Sequence, residues 1–255
     1  MNGFLASVRT LAEARTVYSA GADIIDLKEP AAGALGALDT GIVRQIAAEF
    51  NGHCLLSATI GDQPLQAEPI AAGIEQFARL GVDFIKVGWF GSELDSRVLA
   101  GIEQAARSVR IVIVVFAELG WQQHWLAEFK NAGVHGVMLD TADKSNGGLL
   151  DKTPLQGLQA FVDQAHRQQL LCGLAGALNI TDIPRLLPLE ADYLGFRTAL
   201  CRQGQRSAEV DSQAVETVRM ALQHRYAAQR QARSGLKMSR TQGCDKVQPR
   251  PGESG

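Results

Sequence analysis

The chain has 255 residues and 27.4 kDa, is 46% hydrophobic and 20% charged, and carries 25 basic against 27 acidic residues for a formal charge of −2. That composition can bury a core, excludes disorder throughout the chain, and gives no global pull toward nucleic acid or an anionic membrane. No apolar run approaches the roughly 20 residues of a membrane helix; the strongest, Ile111 to Ala117, has strand length, and the start MNGFLASVRT lacks a secretory pattern.

In chain order, short β-rich apolar runs are each followed by loop residues and a longer amphipathic stretch. The runs are Phe4–Val8, Ala22–Leu27, Cys54–Thr59, Phe84–Val87, Ile111–Phe116, Gly136–Asp140, Leu170–Leu174 and Tyr193–Phe196. Between them lie helix-like segments such as LAEARTVYSAG, PIAAGIEQFARLG, LQGLQAFVDQAHRQQ and TDIPRLLPLE. SAGAD, RLGVD and NAGVHG repeat one junction, a helix ending in Gly just before the next strand. Strands alternating with helices imply βαβ units and a parallel sheet.

Two closures are open to such units, a doubly wound sheet and a (β/α)₈ TIM barrel. No GxGxxG turn follows the first run, so the dinucleotide fingerprint is missing. In Ile24-Ile25-Asp26-Leu27-Lys28, side chains 25 and 27 share one face and 26 and 28 the other; Lys86 likewise opposes Ile85 and Val87. Strands sandwiched between helices in an open sheet are apolar on both faces, whereas a barrel can point a few charges into its mouth. The sequence therefore predicts one barrel domain over 1–224. From 225 to 255 the composition turns polar and basic, which predicts a disordered tail without the aromatic residues or regular basic stripe of a nucleic-acid arm.

Barrel active sites form at the C-terminal ends of the strands. The charged candidates there are Asp26, Lys28, Lys86, Glu118, Asp140, Lys144 and Arg197. Lys144, in a loop, could equally be an ordinary exposed lysine. Inward lysines are the unusual members, because burying an unpaired ammonium is costly; paired with a carboxylate, they would make a structural ion pair. Two lysines facing one cavity repel, and partial desolvation adds to the effect, so at least one is expected to release its proton near neutral pH. A free amine attacks a carbonyl to form a Schiff base, and a second lysine can shuttle protons. This combination points to class I aldolase-like chemistry.

Small residues in Gly173-Leu174-Ala175-Gly176-Ala177-Leu178 and Gly195-Phe196-Arg197-Thr198 let backbone N–H groups approach an anion, and loops after strands seven and eight form the frequent phosphate site of this fold. Gly173, Ala175, Gly176, Gly195 and Arg197 are the expected phosphate contacts, with Arg197 offering a bidentate pair. The five histidines show no metal spacing, and Cys54, Cys172, Cys201 and Cys244 show no CxxC, so no metal is expected and the thiols read as reduced cysteines of a cytoplasmic protein. The expected partner is a small phosphorylated substrate, with no nucleic acid, membrane or cofactor; self-association is left open.

DLKEP (Asp26–Pro30), GALGAL (Gly33–Leu38), FIKVG (Phe84–Gly88), LDTADKSNGGLLD (Leu139–Asp151), GLAGAL (Gly173–Leu178) and DYLGFRTALC (Asp192–Cys201) together resemble the (5-formylfuran-3-yl)methyl phosphate synthase family of methanofuran biosynthesis, over roughly residues 3–222. The resemblance implies a TIM barrel that condenses two molecules of glyceraldehyde 3-phosphate without a cofactor. It also implies that Lys28 is the Schiff-base lysine and Lys86 the proton acceptor, with Asp26 and Lys144 assisting. Thr198 departs from the pattern, which has a small residue after the arginine. A class I aldolase that stops before furan formation would use the same residues. A non-catalytic phosphosugar-binding barrel would need the glycine loops but not two inward lysines.

Overall fold

The computed structural model describes residues 2–143 and 146–223. The elements run β1 (Gly3–Val8), α1 (Leu11–Ser19), β2 (Ile24–Leu27), α2 (Thr40–Phe50), β3 (Leu55–Thr59), α3 (Ala67–Ala78), β4 (Phe84–Trp89) and α4 (Ser96–Ala106), then β5 (Arg110–Phe116), α5 (Gln123–Asn131), β6 (Gly136–Asp140), α6 (Leu149–Lys152), α7 (Leu155–Arg167), β7 (Leu171–Leu174), α8 (Ile183–Leu186) and β8 (Tyr193–Phe196). All eight strands are parallel, and β1 pairs with β8, so the sheet closes into the expected (β/α)₈ TIM barrel. Residues 212–223 are helical and bury Val215, Val218 and Leu222 against the outer core. The predicted tail, 225–255, lies outside the described residues. No described helix is long and apolar enough to cross a membrane.

The recurring helix-to-strand junction has two parts. Gly21, Gly81 and Gly133 take φ of 79°, 82° and 74°, the left-handed turn that stops a helix at little steric cost in a glycine. After Gly21 and Gly81, and again just before β8, an aspartate clips the start of a neighbouring strand. Asp23 accepts from Phe4 N–H at 2.7 Å, Asp83 from Leu56 N–H at 2.9 Å and Asp192 from Cys172 N–H at 2.7 Å. These carboxylates satisfy backbone donors at the foot of the barrel and help set the register. One expected helix is reduced: TDIPRLLPLE forms only the single turn α8 between short 3₁₀ turns. Pro188 has no N–H to continue the ladder, and Glu190 leaves it with φ 58°.

Strand alternation divides the core into two shells. Ile85, Val87 and Trp89 of β4 face the helices, while Phe84 packs with the group inside the barrel. The foot of the interior is filled by Leu5, Phe84, Val112 and Tyr193, with the Arg110 guanidinium 4.5 Å over the Phe84 ring. Gly173 belongs to this packing. A Cβ there would lie 2.3 Å from the Tyr193 ring, so the glycine makes room for an aromatic side chain. Gly173, expected to contact phosphate, sits within β7 and does not line the charged pocket at the barrel mouth.

Candidate active site

The inward positions of β2 and β4 carry charge deep in the barrel. Asp26 is 1% exposed, Lys86 3%, Asp140 3% and Lys28, just past β2, 5%. Neighbouring strands bring them together. Ser7 of β1 and Ser57 of β3 share the register of Asp26, and Thr59 that of Lys86. Asp26 Oδ1 accepts from Ser57 Oγ at 2.6 Å and lies 2.6 Å from Lys86 Nζ, while its Oδ2 accepts from Ser7 Oγ at 2.8 Å. Burial pushes the Asp26 carboxyl up, but the charges of Lys86 and Lys28 and hydrogen bonds from Lys86 and Ser57 outweigh it and hold the pKa below the usual carboxylate range.

Strand-face reasoning pairs Asp26 with Lys28, and the barrel changes that pairing. Asp26 forms its close ion pair with Lys86, and the carboxylate nearest Lys28 Nζ in an ion pair is Asp140 Oδ2 from the end of β6, at 3.8 Å. Asp140 Oδ1 accepts from Thr141 N–H at 2.7 Å, which fixes the carboxylate at the strand end. The two amines thus share one pocket, with Lys86 2.6 Å from Asp26 and Lys28 3.8 Å from Asp140. Glu118 does not join them. It is exposed and accepts from Ala142 and Asp143 N–H at 3.0 and 3.3 Å, steadying the loop after β6. Lys144, expected to assist, lies outside the described residues.

Ala175, Gly176 and Gly195 line this pocket together with Ala177 and Thr198. Gly176 has φ 112°, and a Cβ there would come within 2.9 Å of Thr141 Cγ2, so no larger residue fits this turn. Arg197 departs from expectation. It is 8% exposed, and all its donors are engaged within the protein. Nη1 and Nη2 bridge Glu13 of α1 at 2.6 and 3.2 Å, Nη1 also reaches Ser7 O, and Nε and Nη2 donate to Arg206 O and Ala208 O at 2.9 and 2.8 Å. Arg197 also lines the pocket, and a direct bidentate phosphate contact would require giving up buried partners. Sequence reasoning missed the residues around these groups, namely Ser7, Ser57, Glu13, Asp62 and Arg206. The serines had a signal, since they sit at polar inward positions of apolar strands.

The other side of the mouth is closed. In the loop after β2, Ala34 and Leu35 donate their N–H groups to Asp62 at 2.8 and 2.7 Å. Leu35 is fully buried with the inner core, and Phe90 stacks on Phe116 at 4.5 Å beside it. Leu35 and Phe90 add apolar packing at this side of the barrel, and neither lines the charged pocket.

The family model described as 4-HFC-P synthase matches residues 4–219. The chain belongs to this synthase family. A Methylorubrum extorquens protein, provisionally named (5-formylfuran-3-yl)methyl phosphate synthase, is 43% identical over 84% of this chain and 91% of its own length. The (5-formylfuran-3-yl)methyl phosphate synthase of Methanocaldococcus jannaschii is 32% identical over 81% of this chain and 94% of its own. Among solved structures, phosphoribosyl anthranilate isomerase from Thermus thermophilus superposes with TM-score 0.64 at 14% identity, covering 87% of this chain and 98% of the other. 3-Hexulose-6-phosphate synthase gives 0.60 at 18% identity, covering 86% and 99%. These likenesses show the barrel alone; the family likeness makes the chain an enzyme of the synthase family, and DLKEP, FIKVG and GLAGAL are the segments that build its charged pocket.

Proposed function

We propose that the chain is a (5-formylfuran-3-yl)methyl phosphate synthase of methanofuran biosynthesis, acting on two molecules of glyceraldehyde 3-phosphate through a lysine Schiff base. The observation that carries the reading is the pair of buried amines in one barrel-mouth pocket, Lys28 beside Asp140 and Lys86 beside Asp26. In this reading Lys28 is the nucleophile, the role that the family likeness gives it. Its amine attacks the aldehyde carbon of one triose and water leaves to give the imine. The imine nitrogen then acidifies the adjacent C–H bond. Removal of that proton gives an enamine, whose carbon forms the new bond to the other triose. Lys86 is the proton acceptor, held in place by Asp26, and Asp140 orients the Lys28 amine. Lys144 is an assisting group by family likeness. Loss of one phosphate, ring closure and dehydration give a furan aldehyde that keeps the other phosphate. Two trioses become one furan phosphate, one inorganic phosphate and two waters, so no oxidant or reductant enters.

The test is incubation of the purified chain with glyceraldehyde 3-phosphate, followed in the near ultraviolet. A furan aldehyde absorbs there, and a simple aldol does not. A growing chromophore with matching phosphate release is the expected result. Consumption of triose without chromophore would replace the synthase reading with a plain class I aldolase, and no consumption would remove both.

A further inference from the structure

Two arginines follow β8, and the fold treats them in opposite ways. Arg197 spends every donor on Glu13 and on backbone carbonyls. Arg206 is half-buried, lines the same pocket as Lys28 and Asp140, and its guanidinium makes one long hydrogen bond, from Nη2 to Gly33 O at 3.4 Å. No ion pair involving Arg206 is found among the described residues. Its backbone, by contrast, is pinned. Arg206 O and Ala208 O accept from Arg197, Arg202 N–H donates to Glu209 O at 3.1 Å, and Cys201 bridges Val210. The loop is firm at its base while a planar five-donor fork faces the pocket largely unused.

Of the carboxylates in the pocket, Asp26 pairs with Lys86 and Asp140 with Lys28, and neither forms an ion pair with Arg206 among the described residues. Asp62 is a further carboxylate whose charge Arg206 feels, and its two oxygens accept from Ala34 and Leu35 N–H. A guanidinium with unused donors in a partly desolvated site matches the geometry of a phosphate monoester in a bidentate contact.

We propose that Arg206 is the side chain that recognises a substrate phosphate in this pocket, the role that sequence position assigns to Arg197. The inference rests on the triose phosphate reading and deepens it, since it names the residue that distinguishes a phosphorylated triose from a neutral one. The Glu13–Arg197 pair, by holding the carbonyls of residues 206 and 208, fixes the loop from which Arg206 reaches in.

The experiment uses the full chain and inorganic phosphate as probe. Phosphate affinity is measured by calorimetric titration in the wild type, Arg206→Ala, Arg206→Lys and Arg206→Gln, with thermal melts as a folding control. KM for glyceraldehyde 3-phosphate is measured in parallel. Arg206→Ala is expected to weaken phosphate binding by about tenfold or more, the size of a lost charge-assisted hydrogen bond, and to raise KM similarly. Arg206→Lys should recover part of the affinity, because it keeps the charge but not the fork. Should the alanine variant fail to fold, the glutamine variant gives the same comparison at near-native volume. Unchanged phosphate affinity in a folded variant, or no phosphate binding by the wild type, would overturn the proposal. The two readings separate cleanly. If the chain leaves glyceraldehyde 3-phosphate untouched but loses phosphate binding in Arg206→Ala, the condensation falls and the role of Arg206 stands. If turnover is normal and phosphate affinity is insensitive to residue 206, the condensation stands and the role falls.

Discussion

The foot and the mouth of the barrel are built from the same strands and do different work. On β4, Phe84 packs in the foot and Lys86, two residues on, joins the charged cluster. On β7, Gly173 makes room for Tyr193, while Ala175 and Gly176 just beyond the strand line the pocket. Below, apolar side chains exclude water and hold the strands. Above, the same exclusion leaves carboxylates and amines to satisfy one another. The lesson is that the period of two brings each strand's inward residues onto one axis, and a single step along it changes packing into chemistry.

Substitutions at the two levels should separate accordingly, and the largest effect is expected at Lys28. Borohydride reduction in the presence of triose phosphate should attach an adduct to Lys28. Lys28→Arg should abolish both trapping and furan formation, because guanidinium stays protonated and cannot form the imine. Lys86→Ala should still trap, with furan formation lowered roughly 10²–10⁴-fold. An adduct mapped by peptide analysis to Lys86 in the wild type would reverse the two roles.

Asp26→Asn comes next, because it removes the close partner of a buried lysine. A loss of about 3–5 kcal/mol in urea unfolding is expected at neutral pH. The acid side supplies a second reading. Asp26 has its folded-state pKa below that of the unfolded chain, so its contribution is present above the unfolded value, near 3.9, and is lost as pH falls through the lowered folded value. The stability difference between wild type and Asp26→Asn should therefore persist to about pH 4 and narrow only below it. A difference that had already vanished by about pH 6 would mean that Asp26 is not held as a carboxylate.

Gly173→Ala tests the foot. The new methyl would press on the Tyr193 ring, and overpacking of this kind costs about 1–3 kcal/mol. Melting should fall while kcat/KM at a permissive temperature stays within about twofold of wild type, and pairing the change with Tyr193→Leu should restore part of the stability. A large fall in kcat/KM at full stability would show that the foot communicates with the site. The smallest effect is expected from removing residues 231–255, which the family match does not reach. The segment is polar with few large apolar residues, so stability should change by less than about 0.5 kcal/mol and activity hardly at all. A marked fall in either would show that it docks on the barrel or on another subunit.

The amino-acid sequence by itself determined the eight βα units, the glycine-terminated helices, and the inward placement of Asp26 and Lys86. Each follows from local periodicity or from a turn that suits glycine. It also placed Lys28 and Gly176 at strand ends, where this fold gathers its chemistry. Partner choice was decided only by tertiary structure. Asp26 and Lys28 share a strand face, yet closure of the barrel sets Asp26 against Lys86, from two strands away, and brings Asp140 to Lys28 from β6. Arg197 carries the motif position and lines the pocket, but a glutamate 184 residues away in sequence claims its guanidinium, while the Arg206 fork beside it stays largely unused. Gly173 looks like a phosphate-loop glycine until Tyr193 fills the space above its Cα. Such assignments depend on distances between strands that sequence spacing does not encode. In a closed barrel, inward side chains meet across the axis as well as along the chain.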